Sequence, residues 1–155
     1  MKRVLLTGMS GTGKSSVIGE LRKRGFRAID MDEPSWSKHD HDGNQQWCES
    51  RLQEALDSAG DDTLFLSGCA ENQVKFYPQL TDIILLSAPA EVLAERLMTR
   101  TNNPYGKRPE EFEEVLYYLE TVEPLLRRRA TCEIETTIPL NQVVEDVLEC
   151  VGLAW

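Results

Sequence analysis

Residues Gly8 to Ser15 read Gly-Met-Ser-Gly-Thr-Gly-Lys-Ser, which is the G-x-x-x-x-G-K-[ST] spacing of a phosphate-binding loop. No other stretch constrains the fold so strongly, because such a loop works only between a strand and a helix. Val4-Leu5-Leu6-Thr7 ahead of it is a short apolar run of strand character, and Ser15 to Arg24 behind it has amphipathic helical spacing. The glycines let the backbone curl so that successive N–H groups cradle phosphate oxygens, and the helix dipole adds to the attraction. Gly8, Met9, Ser10, Gly11, Thr12, Gly13, Lys14, Ser15 and Ser16 are therefore expected to hold phosphates. Lys14 is expected to reach the β- and γ-phosphates, and the Ser15 hydroxyl to take a place on Mg²⁺. The motif implies binding of a nucleoside triphosphate, with ATP and Mg²⁺ as the cofactors.

Strands and helices alternate along the rest of the chain. Phe26 to Asp30 reads as a second strand after a glycine stop at Gly25. Residues 33 to 43 are polar and rich in turn formers, and Gln45 to Ala59 has helical character. Thr63 to Ser67 and Asp82 to Ser87 are apolar strands, separated by a short helix near Asn72 to Phe76. A helix is expected from Ala90 to Arg100, and a long one from Glu110 to Arg129 with a kink or break at Pro124. Cys132 to Thr136 is a last short strand, and Leu140 to Val151 a closing helix. Purely apolar strands alternating with helices predict a parallel sheet covered on both faces. The expected fold is α/β, a three-layer α/β/α single domain over residues 1–155. Its five-stranded parallel sheet is of the P-loop NTPase type, with a small lid at about 101–109 and an acceptor-side region at about 31–60.

Composition bounds the partners. At 155 residues, with 41% hydrophobic and 28% charged, the chain suits one globular domain. No stretch approaches the roughly 18 apolar residues of a membrane span, and Met1-Lys2-Arg3 runs straight into the first strand, so a cytoplasmic protein without a membrane partner is expected. A net charge of −9 disfavours nucleic acid as a partner. Cys48, Cys69, Cys132 and Cys150 are scattered without C-x-x-C spacing, and the expectation is reduced, partly buried thiols rather than a zinc site.

Open α/β sheets place their ligands at the carboxyl ends of the strands. There the second strand ends in Asp30-Met31-Asp32-Glu33, and in an extended segment residues two apart share a face. One aspartate can hold the Mg²⁺ hydration shell while the other takes a proton from an attacking hydroxyl. Asp30 is assigned to the metal and Asp32 to the proton. The third strand ends without an aspartate, which leaves that pair as the natural substitute. Arg100, Lys107 and Arg108 lie on the insert between two helices, where a basic loop can close over a transferring phosphoryl group. His39-Asp40-His41-Asp42 alternates metal-capable side chains, although a solvated loop is the commoner outcome. Trp36 and Trp47 flank it, either to stack on a ligand or to pin the loop to the core. Arg127-Arg128-Arg129 suits a helix carboxyl end.

With these residues in view, the chain resembles the small P-loop kinases of the nucleoside monophosphate kinase superfamily, in layout shikimate kinase and gluconate kinase above all. The resemblance covers the phosphate loop, the D-x-D after the second strand, the lid ending Arg108-Pro109, and the final strand and helix. It implies that Asp30 and Asp32 handle the Mg²⁺ water and the acceptor hydroxyl. It also implies that Arg100 stacks on adenine, that Arg108 touches the phosphates, and that Thr136 to Pro139, with Thr137 and Pro139, border the base. Ser67 to Gln73 stands where shikimate kinases carry a glycine triplet, and Glu123-Pro124-Leu125 where an arginine is expected. Arg51 remains as a remnant of the acceptor clamp, and Gly68 and Cys69 face the acceptor beside Asp32. The polar Ser67–Gln73 stretch suits a neutral polyol or amide better than a carboxylate, unless it is simply a helix-capping turn.

The expected activity is therefore transfer of the γ-phosphate of ATP to a small-molecule acceptor, with Lys14, Asp32 and Arg108 as catalytic residues. A monomer or weak homodimer is expected. Two alternatives stay open: a nucleoside or nucleoside monophosphate kinase, and a nucleotide-binding regulatory ATPase with no small acceptor.

Overall fold

The computed structural model describes residues 2–101 and 104–153. Asn102 and Asn103 of the expected lid, and the ends of the expected 1–155 domain, lie outside the described residues. The main sheet has five strands: β1 Arg3–Thr7, β2 Arg27–Asp30, β5 Leu64–Ser67, β6 Asp82–Ser87 and β7 Cys132–Glu135. Their order is β2-β5-β1-β6-β7, and every neighbouring pair is parallel. That arrangement is the expected α/β/α sandwich. The strands are continuous apolar runs because both faces are covered. All of β1 and all of β5 are buried.

Side-chain alternation along each strand sorts the core. Val4, Leu6, Phe65, Ile84 and Leu86 face helices α1 (Lys14–Lys23) and α6 (Leu140–Cys150), meeting Val17, Ile18, Leu21, Val143, Val144 and Val147. Leu5, Leu64, Leu66 and Ile83 face the opposite way, onto Leu52 and Leu56 of α2 (Glu49–Ser58) and Phe76 and Tyr77 of a 3-10 helix, Glu71–Gln79. Leu85 completes that face against Leu93 of α3 (Ala90–Thr99) and Leu126 of α5 (Glu123–Arg129). Each such aliphatic side chain contributes about 1.5–3 kcal/mol on burial, so these layers dominate the stability.

Two expectations change, and a third, the kink or break at Pro124, is made definite. Residues 33 to 47 are not a turn followed by a helix: Ser37–His39 (β3) and Gln45–Trp47 (β4) pair as an antiparallel hairpin, and α2 begins only at Glu49. Pro124 gives a true break, splitting the long helix into α4 (Pro109–Thr121) and α5, since a proline early in α5 cannot donate to the preceding turn. Cys132 and Cys150 are not free thiols but a disulfide, with Cα atoms 6.6 Å apart. Strand β7 and the end of α6 lie side by side, which brings these two distant positions together. Cys48 and Cys69 remain free.

Candidate functional site

Between β1 and α1 the chain turns through Gly8, whose φ is +155°. A Cβ there would stand 2.3 Å from the Leu86 carbonyl oxygen, so only glycine fits. Thr12 Oγ1 donates to the Met9 carbonyl at 2.8 Å and stiffens the loop from within. Lys14 folds back over it, with Nζ donating to the carbonyls of Gly8 and Met9 at 2.7 and 3.0 Å. A buried ammonium is thereby held within the loop, the charge that phosphate oxygens require.

The two residues assigned to the metal are in contact. Ser15 Oγ donates to Asp30 Oδ2 at 2.8 Å, while Asp30 Oδ1 accepts from the Asp32 backbone N–H at 3.0 Å. Asp30 is buried and ends β2, where its register partner on β5 is Ser67. The Ser67 hydroxyl is buried without a hydrogen-bond partner. Ser15, Asp30 and Ser67 thus form a small oxygen-rich corner, and such hard donors fit Mg²⁺. Among the described residues no group of three or more His, Cys, Asp and Glu gathers elsewhere for a metal. In the His39–Asp42 stretch, Asp40 is turned into the hairpin. Its carboxylate accepts from the N–H groups of Asp42 and Asn44 and from Gln46 Nε2. Bonds to the Asn44 backbone, above all, hold the Asp40 carboxyl below its usual range.

Asp32 does not continue the strand. The chain bends at Met31, and Asp32 stands exposed beyond the bend. Its Oδ1 accepts from Gln45 Nε2 at 2.6 Å and would lie 3.1 Å from a Cβ at Gly68. Cys69 follows in the same corner. Burial raises its thiol, with the Lys14 ammonium pulling the other way and Asp32 adding to the rise. Asp32, Gly68 and Cys69 are thus brought together beside the phosphate loop.

Asn72 and Gln73, expected to face the acceptor, are used up structurally. Asn72 accepts from Trp47 N at 2.8 Å and donates to the Trp47 carbonyl at 3.0 Å. Gln73 caps its own helix through Ala70 N and donates to Thr7 Oγ1 and the Tyr77 hydroxyl. Arg51 does not reach Asp32: it donates to the Ser35 carbonyl at 2.5 Å and lies over the Trp36 ring at 4.2 Å. Trp47 is core, packed near Phe76.

Beside the phosphate loop a cleft of about 260 Å³ opens between Thr12, Gly13, Ser16, Arg96, Thr136 and Ile138. Arg96 is a residue that sequence reasoning missed. Its guanidinium donates to the Gly11 carbonyl at 3.2 Å, to Thr136 Oγ1 at 2.9 Å and to the Thr136 carbonyl, tying the phosphate loop to the loop after β7. The available signal was the i,i+4 spacing of Arg96 and Arg100 on one helix face. Arg100, the C-cap of α3, instead donates to the Tyr105 carbonyl at 2.6 Å, and burial lowers its pKa. Thr137 and Pro139 are exposed at the rim, the latter as the N-cap of α6. Arg108 caps the start of α4, 74% exposed and 3.8 Å from Glu110. Of the triple arginine, Arg127 bridges Glu123 and Glu133, and Arg129 lies over the Tyr77 ring. Among the described residues no helix is long and apolar enough to cross a membrane.

Comparison with known proteins follows this geometry. A family model described as AAA domain matches residues 4–118. No curated protein matches by sequence. Among solved structures, the chain is similar to shikimate kinase from Acinetobacter baumannii in complex with shikimate, with TM-score 0.69 and 20% identity over 98% of this chain and 93% of that one. It is similar as well to a gluconokinase from Sinorhizobium meliloti 1021, with TM-score 0.65 and 21% identity over 97% and 91%. A sugar kinase from Janibacter sp. HTCC2649 gives TM-score 0.63 and 20% identity over 99% and 96%. The fold is that of the small P-loop kinases, as the sequence implied.

Proposed function

This chain belongs to the AAA domain family, and from that premise we propose that it is an ATP-dependent kinase of a small molecule, transferring the γ-phosphate to a hydroxyl group. One observation carries the reading. The Ser15–Asp30 contact at 2.8 Å ends the phosphate loop where Asp32 begins the opposite wall, so donor and acceptor sides meet across two residues.

Each residue then has a task. The loop amides and Lys14 bind the phosphates, with Lys14 exchanging its two carbonyl partners for phosphate oxygens. Ser15 and Asp30 would hold Mg²⁺, which when bound neutralises charge on the β- and γ-phosphates. Asp32 accepts the proton of the attacking hydroxyl. That hydroxyl oxygen bonds to the γ-phosphorus, the bond from phosphorus to the bridging oxygen breaks, and ADP departs with the electron pair. Arg96 keeps the base-side loop against the phosphate loop. Arg108, exposed at the start of α4, would close on the transferring group.

The test is ADP release from ATP and Mg²⁺ across a panel of sugars, polyols, nucleosides, nucleoside monophosphates and antibiotics. Release that depends on a hydroxylated acceptor is expected. Lys14→Ala should abolish it, and Asp32→Asn should lower kcat by about 10²–10⁴-fold while leaving ATP affinity intact. Slow release that no acceptor changes would overturn the kinase reading in favour of a regulatory ATPase. An Asp32→Asn variant with full turnover would remove the base assignment alone.

A further inference from the structure

The β3–β4 hairpin reaches the Asp32 carboxylate through Gln45. Gln45 Nε2 donates to Asp32 Oδ1 at 2.6 Å and to Ser37 Oγ at 3.3 Å. Ser37 Oγ donates in turn to the Met31 carbonyl, so the hairpin grips both the backbone and the carboxylate of the bend after β2. This grip has a firm base. Asn72 pairs with both backbone groups of Trp47, Cys48 N donates to the Trp36 carbonyl at 2.8 Å, and Trp47 is 2% exposed. Trp47 Cζ2 and Asp32 Oδ1 both lie against Gly68, 3.3 and 3.1 Å from where its Cβ would be. Hairpin, carboxylate and the end of β5 therefore share one corner.

The hairpin side chains that meet this corner, Ser37, Gln45 and Trp47, are uncharged. Gln45 is half-buried, and its carboxamide oxygen has no hydrogen bond among the described residues. A carboxamide donates and accepts, as a hydroxyl does, so the two match. Arg51, the one cation the sequence offered for a carboxylate, is engaged with Ser35 and Trp36. With Arg51 engaged elsewhere, an anionic acceptor would meet the Asp32 carboxylate with no arginine clamp to offset it, which discriminates against it.

We propose that Gln45 is a positioning residue that aims Asp32, and that the hairpin is the acceptor-recognition element for an uncharged polyhydroxy compound. This inference rests on the kinase reading. With the carboxylate aimed, the proton of one hydroxyl passes to Asp32 as its oxygen attacks the γ-phosphorus. A neighbouring hydroxyl meets the Gln45 carboxamide oxygen.

The experiment uses the full chain and three acceptors on one carbon skeleton: an aldose, the alditol obtained by reducing it and the aldonate obtained by oxidising it. Glutamine is replaced by Q45M, which keeps its length and loses the donor, and by Q45A. The aldose or alditol should show kcat/KM about tenfold or more above the aldonate, in line with rejection of an uncompensated charge. In Q45M, kcat with that acceptor should fall about tenfold to a hundredfold, as for a misplaced catalytic group. ATP affinity by calorimetry and the thermal midpoint should match the wild type. Preference for the aldonate overturns the inference, as does wild-type turnover in both variants. So does a loss in Q45M that comes with weaker ATP binding and a lower midpoint, because Gln45 would then be structural. Failure of the kinase reading itself looks different: the wild type would release ADP with no dependence on any acceptor.

Discussion

On the donor side, Gly8, Lys14 and Ser15 come from one short run of chain, shaped mainly by bonds to its own backbone carbonyls and by the neighbouring end of β6, with Asp30 and Arg96 joining from outside. On the acceptor side, Asp32, Gln45, Gly68 and Asn72 come from separate segments: Gln45 bonds the Asp32 carboxylate, Asn72 bonds the Trp47 backbone, and Gly68 packs against Asp32 and Trp47. The donor half is a backbone device. The acceptor half is a side-chain device mounted on a hairpin that the main sheet does not include. Backbone devices tolerate almost no change in the few residues that shape them. Side-chain devices can be retuned one contact at a time, which is how one fold comes to serve different acceptors.

Substitutions should separate the two halves, the donor side failing more severely. Gly8→Ala forces a Cβ to within 2.3 Å of a backbone oxygen in a conformation that alanine rarely adopts. We expect a loss of about 3 kcal/mol or more in stability by denaturant melt, together with ATP binding. A variant that binds ATP normally would show the loop to be looser than its geometry. Next in size is Asn72→Ala, which strands the N–H and carbonyl of buried Trp47. Stability should drop by about 1–3 kcal/mol, and acceptor KM should rise with ATP affinity little changed. Equal damage to ATP affinity would erase the distinction between the halves.

The smallest effect concerns the hairpin tip. Hydrogen bonds from Asn44 N–H, first of all, depress the Asp40 carboxyl, so its ionised form favours the folded hairpin. That contribution is fully present above the ordinary aspartate range and is lost as pH falls through the lowered folded value. The Asp42 and Asn44 amide resonances should titrate together, with a midpoint below that of an unstructured aspartate. A midpoint at or above the ordinary value would dismiss Asp40 as the hairpin's organiser.

Legibility followed the same divide. The phosphate loop and the five strands could be read from the sequence because each depends on local geometry or on alternation with a fixed period. Gln45-Gln46-Trp47 read as helix because glutamine is a good helix former and the pairing partner, Ser37–His39, is not adjacent. Asp42-Gly43 was the available hairpin signal, masked by the polarity around it. Arg51 failed as a clamp because Trp36, remote in helical periodicity, captures it.

By itself the sequence determined the phosphate loop, the parallel sheet and the place of Asp30 at a strand end. Steric limits on the backbone and burial of periodic apolar residues act within a few positions, and they leave little choice. Tertiary structure alone decided that Gln45 aims Asp32, that Arg96 ties Thr136 to the phosphate loop and that Cys132 meets Cys150. Those contacts join residues far apart in the chain, and a hydrogen bond or a disulfide forms only once the packed sheet has fixed the distance between them.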